Sequence, residues 1–170
     1  MKKILILLAA IACIGQANAQ TIKGHRYRGF IDTTFLTDGV FEDMNSIGGG
    51  FSTSHGYQFN PYIFLGGGVA YHSYSLDDFF GKYSIPIFTN FRVNMNDKKI
   101  SPFFDAKLGY SVGNYEGAYV SPTFGVRFGL KQDVGLNVSI GYAIQGYEYI
   151  DYYVEKSYIH SLTLSVGVDF

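Results

Sequence analysis

The 170-residue chain carries 13 Lys and Arg against 14 Asp and Glu, a formal charge of −1 at pH 7, and so near-neutral a balance offers no basic surface to nucleic-acid phosphates. Its 21 Gly, 15 Tyr and 15 Phe suit strands and interfacial anchoring better than helices, and its one cysteine, Cys13, supports no disulfide framework. His25, His55, His72 and His160 are scattered without ligand spacing, so neither a metal site nor a cofactor is expected.

The N-terminus reads as an export signal. Lys2 and Lys3 form a basic n-region, Ile4 to Ile14 an apolar run, and Ala17-Asn18-Ala19 a small-x-small cleavage site, the three parts of a secretory signal peptide. Residues 1–19 are expected to be removed, leaving 20–170 as one domain, since domains typically run to roughly 100–200 residues. Loss of Lys2 and Lys3 lowers the cations from 13 to 11 against 14 acids, so the mature chain carries about −3. No later stretch approaches the roughly 20 consecutive apolar residues of a transmembrane helix. Residence in a membrane would have to come from strands.

Eight segments alternate with period 2. Tyr27 to Phe35 sets Tyr27, Ile31 and Phe35 against Arg28, Asp32 and Thr34; Ile47 to Tyr57 is interrupted by Gly48, Gly49 and Gly50; Tyr62 to Tyr71 sets Ile63, Leu65, Val69 and Tyr71 against Phe64, Gly66, Gly68 and Ala70. In the fourth, Ile85, Ile87, Phe91 and Val93 oppose Ser84, Phe88, Asn90 and Arg92. In the fifth, from Ile100 to Val112, Phe104, Leu108 and Tyr110 oppose Asp105, Lys107 and Ser111. The sixth sets Val120, Phe124, Val126, Phe128 and Leu130 against Ser121, Thr123, Gly125, Arg127 and Gly129, and the seventh sets Leu136, Val138, Ile140, Tyr142 and Ile144 against Asn137, Ser139, Gly141, Ala143 and Gln145. The eighth, Leu162, Leu164, Val166, Val168 and Phe170, alternates with Thr163, Ser165, Gly167 and Asp169 and ends on an aromatic.

Volume decides which face looks outward. The lumen of an eight-stranded barrel is just wide enough for side chains to fill, and it has no room for some five large apolar residues from every strand. The lean face of Gly, Ser, Thr and Ala therefore points inward and the apolar face toward lipid. Because backbone polar groups in hydrocarbon must be paired internally, the expectation is an all-β, eight-stranded, antiparallel up-and-down transmembrane barrel with both termini periplasmic. Gln58 to Pro61, Asn94 to Lys99 and Lys131 to Gly135 then become periplasmic turns. The outer loops are Leu36 to Ser46, Ser73 to Tyr83, Asn114 to Gly117 and Tyr147 to Ser157.

Three constellations follow from this placement. Tyr71, Tyr74, Tyr110, Tyr115, Tyr119, Tyr147, Tyr149, Tyr152, Tyr153 and Tyr158 crowd the expected outer rim, with Phe59, Tyr62, Phe103 and Phe170 at the other, as interfacial girdles would. Within the last outer loop, Tyr147, Tyr149, Tyr152 and Tyr153 share a short stretch with three acids, a candidate contact surface for an extracellular ligand. Arg28, Asp32, Arg92, Asp105, Lys107 and Arg127 all face the lumen, where unpaired charges carry a heavy desolvation cost, so they should pair, though the partners stay open. Pro86, Pro102 and Pro122 lie near expected strand starts, where bulges or frayed ends would accommodate them.

The signal peptide, the Gly- and Tyr-rich alternating strands and the terminus Leu162-Thr163-Leu164-Ser165-Val166-Gly167-Val168-Asp169-Phe170 resemble the small outer-membrane β-barrel family related to the OmpA membrane domain and OmpX. The resemblance implies residence in a bacterial outer membrane among its lipids. It also implies that Leu162, Leu164, Val166, Val168 and Phe170 act as the assembly signal, with periplasmic chaperones and the barrel-assembly machinery as transient partners. A wall-binding module after the barrel is not expected. Barrel enzymes that act on lipids resemble one another in a His-x-Ser motif on a lipid-facing strand. Here His160-Ser161, Ser54-His55 and His72-Ser73 are adjacent pairs that point to opposite faces of a strand. The expected function is non-enzymatic, structural or surface-interacting through the outer loops; the alternatives are a narrow channel for small solutes and, further off, a lipid-modifying enzyme.

Overall fold

The computed structural model describes residues 25–38, 47–75, 82–131, 133–150 and 154–170; the expected leader at 1–19 lies outside them. The strands are β1 (Arg26–Asp38), β2 (Ile47–Gln58), β3 (Ile63–Ser73), β4 (Tyr83–Asn94), β5 (Ile100–Gly113), β6 (Gly117–Lys131), β7 (Val134–Ile150) and β8 (Val154–Asp169). Each pairs antiparallel with the next, and β8 returns to β1, so the sheet closes into an up-and-down barrel. Both ends of the described chain lie at one rim, called here the terminal rim, with the turns after β2, β4 and β6. The opposite ends of the strands form the far rim.

The period-2 pattern is realised as a sorting of side chains. Ile31, Ile87, Phe124, Ile140 and Leu164 are exposed on the outside, with Ile87 and Ile140 each 61% accessible. Phe30, Ser52, Phe64, Asn90, Asp105, Asn137 and Thr163 are buried inside. Far from being broken by its glycines, β2 runs through Gly48, Gly49 and Gly50 in register with β1 and β3. Gly50 is needed because β3 passes close to it: a Cβ there would overlap the Tyr71 carbonyl oxygen and stand 2.7 Å from the His72 imidazole.

The strands outrun their expected bounds most at the far rim. Tyr147 pairs with Ser157, and the ladder continues to Ile150 and Val154, so most of the expected loop Tyr147 to Ser157 is strand. Tyr147, Tyr149 and Ile150 are strong strand formers, and the antiparallel partner lets them pair rather than loop. Tyr149 is thus carried on a strand, opposite Glu155, while Tyr152 and Tyr153 lie outside the described residues. Pro122 sits in the body of β6, not near its start, and the β6–β7 ladder skips from Val120–Ile144 to Thr123–Gly141 around it. Pro86 leaves a similar gap between Val69–Ile87 and His72–Ser84, each gap following from the missing backbone donor.

The seam between β1 and β8 runs from Asp38–Ser161 to Phe30–Asp169. It ends in a reciprocal pair between Gly29 and Phe170, whose N–H groups donate to each other's carbonyls at 2.9 and 3.0 Å. The Phe170 ring lies over Gly29, where an added Cβ would stand 2.7 Å from it, and makes an edge contact with His55 at 6.3 Å between centroids. Truncating this ring removes an aromatic contact worth about 1 kcal/mol beyond its buried area. Phe170→Ala is therefore expected to lower the fraction of chains that migrate as the heat-modifiable folded form. An undiminished folded band in that variant would refute a closing role for the ring.

Candidate functional site

The residues with chemistry to offer converge in the lumen, because alternation on eight strands delivers them there. At the terminal end, Asp169 of β8 receives two cations: Arg28 of β1 donates to it through Nη2, and Arg127 of β6 donates through Nε at 2.9 Å and Nη2 at 3.0 Å. Asn137 of β7 donates to the same carboxylate at 2.9 Å. Asp169 is fully buried and both arginines are 1% exposed. Gly135 gives them room, since a Cβ there would stand 2.6 Å from both Arg127 Nε and Asp169 Oδ1.

The next layer holds Arg92 of β4. Its Nε donates to Asp105 of β5 at 2.8 Å, and its Nη1 donates to Asn137 Oδ1 at 3.1 Å. The guanidinium lies between two phenyl rings, 4.1 Å from the centroid of Phe30 and 4.0 Å from that of Phe103. Phe30 in turn meets Phe64 edge-on at 4.9 Å. Cation–π attraction strengthens when the pair is desolvated, and Asn137 links this layer to the terminal one. The result is a flat cation held inside the lumen between two rings and tied at its edge to a carboxylate.

Above it Lys107 of β5 reaches across to Asp32 of β1 at 3.4 Å and to Ser52 of β2 at 3.2 Å, with its ammonium 5.2 Å above the Phe88 ring. Toward the far rim Phe88, Tyr119, Ala70 and Ala143 form an apolar cluster, and Ser111 donates to Gln145 at 2.5 Å. Tyrosines cover the mouth, Tyr74 against Tyr115 at 5.0 Å and Tyr115 against Tyr147 at 5.6 Å, both edge-on.

All six charges expected in the lumen lie there. Asp32 pairs with Lys107, whereas Arg28 and Arg127 share Asp169. Asp169 joins them although it is not among the six charges expected there; its parity with Thr163, Ser165 and Gly167 on the terminal strand marks it as inward. The aromatic girdles need three corrections. Tyr74 and Tyr119 are 5% and 3% exposed, and Phe103 is 1% exposed, so these three fill the lumen instead of facing the interface. Tyr119 shares the inward parity of Ser121, and Phe103 that of Asp105. Tyr110 and Tyr158 remain outward, 50% and 54% accessible.

Outside the lumen, one constellation is not evident from adjacent residues. Thr53 and His55, two apart on β2 and so on one face, lie 2.8 Å apart from Oγ1 to Nε2, and Tyr27 Oη is 2.5 Å from His55 Nδ1. Thr53 Oγ1 also donates to the Phe30 carbonyl at 3.2 Å. One tautomer satisfies every contact: Tyr27 donates to Nδ1, Nε2–H donates to Thr53, and Thr53 donates to the backbone. The chain of bonds clasps β1 to β2 beside Phe170. Among the described residues there is no group of three metal ligands.

Removing one partner of a buried ion pair typically costs about 3–5 kcal/mol, whereas replacing both with apolar groups is often neutral. Arg92→Leu is accordingly expected to lower stability by that amount in urea titration of the folded barrel, and the double variant Arg92→Leu/Asp105→Leu to recover most of it. Equal losses in the single and double variants would disprove the pairing account.

Solved structures with the same closed barrel include Neisserial surface protein A, 15% identical over 84% of this chain and 95% of that one with a TM-score of 0.63. The N-terminal β-barrel domain of Pseudomonas aeruginosa OprF is 12% identical over 87% of this chain and all of that domain, TM-score 0.51. A de novo designed transmembrane β-barrel is 12% identical over 89% and 98%, TM-score 0.52. No protein-family model and no curated protein matches the chain. At these identities the likeness establishes architecture alone, a closed eight-stranded up-and-down β-barrel.

Proposed function

We propose that this chain is an integral outer-membrane barrel of the OmpA-membrane-domain and OmpX type, non-enzymatic and non-conducting, that serves a structural or surface-interaction role through its far-rim loops. The observation that carries the reading is the Arg92 guanidinium held inside the lumen between Phe30 and Phe103 and bonded to Asp105. The outer face supports the location. Strands of 11 to 17 residues meet or exceed the roughly 9–11 residues a tilted transmembrane strand needs, and their exposed aliphatic and aromatic side chains form a surface that water tolerates poorly and lipid solvates. Short turns after β2, β4 and β6 on the terminal side are compatible with the periplasm. In this reading both chain ends are periplasmic, residues 1–19 direct export, and Leu162, Leu164, Val166, Val168 and Phe170 are read by the assembly machinery. The likeness to a Neisserial surface protein agrees with a role at the cell surface. The Thr53 hydroxyl, donating to a backbone carbonyl, speaks against a lipid-modifying enzyme.

Conductance and solute flux of the refolded protein in planar bilayers, against an empty-detergent control, test the lumen. Silence is expected, and steady, reproducible conductance would overturn the plugged-barrel reading. A charge on the lipid face tests the location: Ile140→Arg is expected to cost about 2–4 kcal/mol of folding stability in phosphatidylcholine vesicles, as for cations near a bilayer midplane. A loss of less than about 1 kcal/mol would place Ile140 outside the hydrocarbon.

A further inference from the structure

The charges of the lumen do not balance. Among the described inward side chains, Arg28, Arg92, Lys107 and Arg127 face Asp32, Asp105 and Asp169. Arg92 and Lys107 each have a carboxylate of their own, so the surplus sits at the terminal end, where Arg28 and Arg127 divide one carboxylate between them. Arg26, two residues before Arg28 and therefore on the same face of β1, adds a third guanidinium within electrostatic reach of Asp169 and Arg127.

Donors are in surplus there as well. Arg26 Nε and Nη2, Arg28 Nε and Arg127 Nη1 are buried without a hydrogen-bond partner. Guanidinium groups present N–H donors in a planar fork matched to oxyanions, and a buried donor left unbonded is costly. Three such groups, short of acceptors and carrying excess positive charge, have the composition of an oxyanion site. One carboxylate already marks its entrance: Asp133, on the short turn between β6 and β7, pairs with Arg26 through Oδ1 while its side chain remains 53% exposed.

We propose that the terminal mouth of the lumen binds a small soluble oxyanion of the phosphate type, held by Arg26 with Arg28 and Arg127 behind it, and that Asp133 competes for the same place. The arginines lie inside the barrel wall, so the anion enters from the aqueous phase at the terminal rim and not from the lipid. Because this end lies below the Arg92 layer, the site requires no open channel, and its presence is independent of whether the lumen conducts.

The test is titration of the folded barrel in octyl glucoside with inorganic phosphate, sodium chloride being adjusted to hold ionic strength constant, while backbone amide shifts are followed by NMR. The expected result is saturable shifts at Gly129, Gly135 and Asp169, with residues at the far rim unmoved. Arg26→Gln should weaken the apparent affinity about tenfold, the equivalent of one charge-assisted contact. Asp133→Asn, on an exposed turn where folding is not at stake, should strengthen it several-fold by removing the competing carboxylate. Non-saturating shifts, the same shifts with chloride alone (an ionic-strength effect only), or an affinity indifferent to Asp133→Asn would each overturn the proposal.

Discussion

A closed sheet of eight strands leaves a lumen no wider than the side chains that fill it, and the rest of this structure answers to that restriction. Every inward position must be small or must find a partner across the barrel. Charges obey it most strictly, because a narrow, dry interior weakens the attraction of water for an ion while strengthening that of a nearby counter-ion. Arg92 meets the requirement in three ways at once, through a carboxylate at its edge, an amide beside it, and a ring on each face. Lys107 meets it by stretching across the lumen to Asp32 and Ser52.

The terminal end couples this restriction to closure. Asp169 lies on the last strand, next to the seam, and its two cations come from β1 and β6. Until β8 docks, Arg28 and Arg127 lack the carboxylate they share, so the ladder that joins β8 to β1 also delivers the lumen's counter-charge. Phe170 repeats the coupling on the outside, where its ring covers Gly29 next to the Tyr27–His55–Thr53 bonds. The last two residues thus secure the seam from both faces, one by charge and one by packing.

The outer surface carries the opposite requirement. Its side chains need no specific partner, only an apolar solvent, and they are correspondingly Ile, Leu, Val and Phe along the strand bodies. Tyrosine divides its roles by parity. Tyr110 and Tyr158 stand outward, while Tyr74, Tyr115 and Tyr147 turn their rings to one another over the mouth, where an edge-on arrangement of aromatic quadrupoles is favoured.

Period-2 alternation by itself marked the eight strands and sorted each one's residues onto two opposed faces, because successive side chains on a strand have no choice but to oppose, and side-chain volume decided which face turns inward. That is why Arg28, Asp32, Arg92, Asp105, Lys107 and Arg127 were legible as lumen residues from the chain alone. The same parity applied to Tyr74, Phe103 and Tyr119, and composition misled there: an aromatic near a rim reads as a girdle unless its face is counted. What only the tertiary structure decided is which charges meet. Asp32 and Lys107 are 75 residues apart, and Arg28 and Asp169 141 apart. Their meeting depends on the tilt and stagger of the closed sheet, a property of all eight strands together that no single segment encodes.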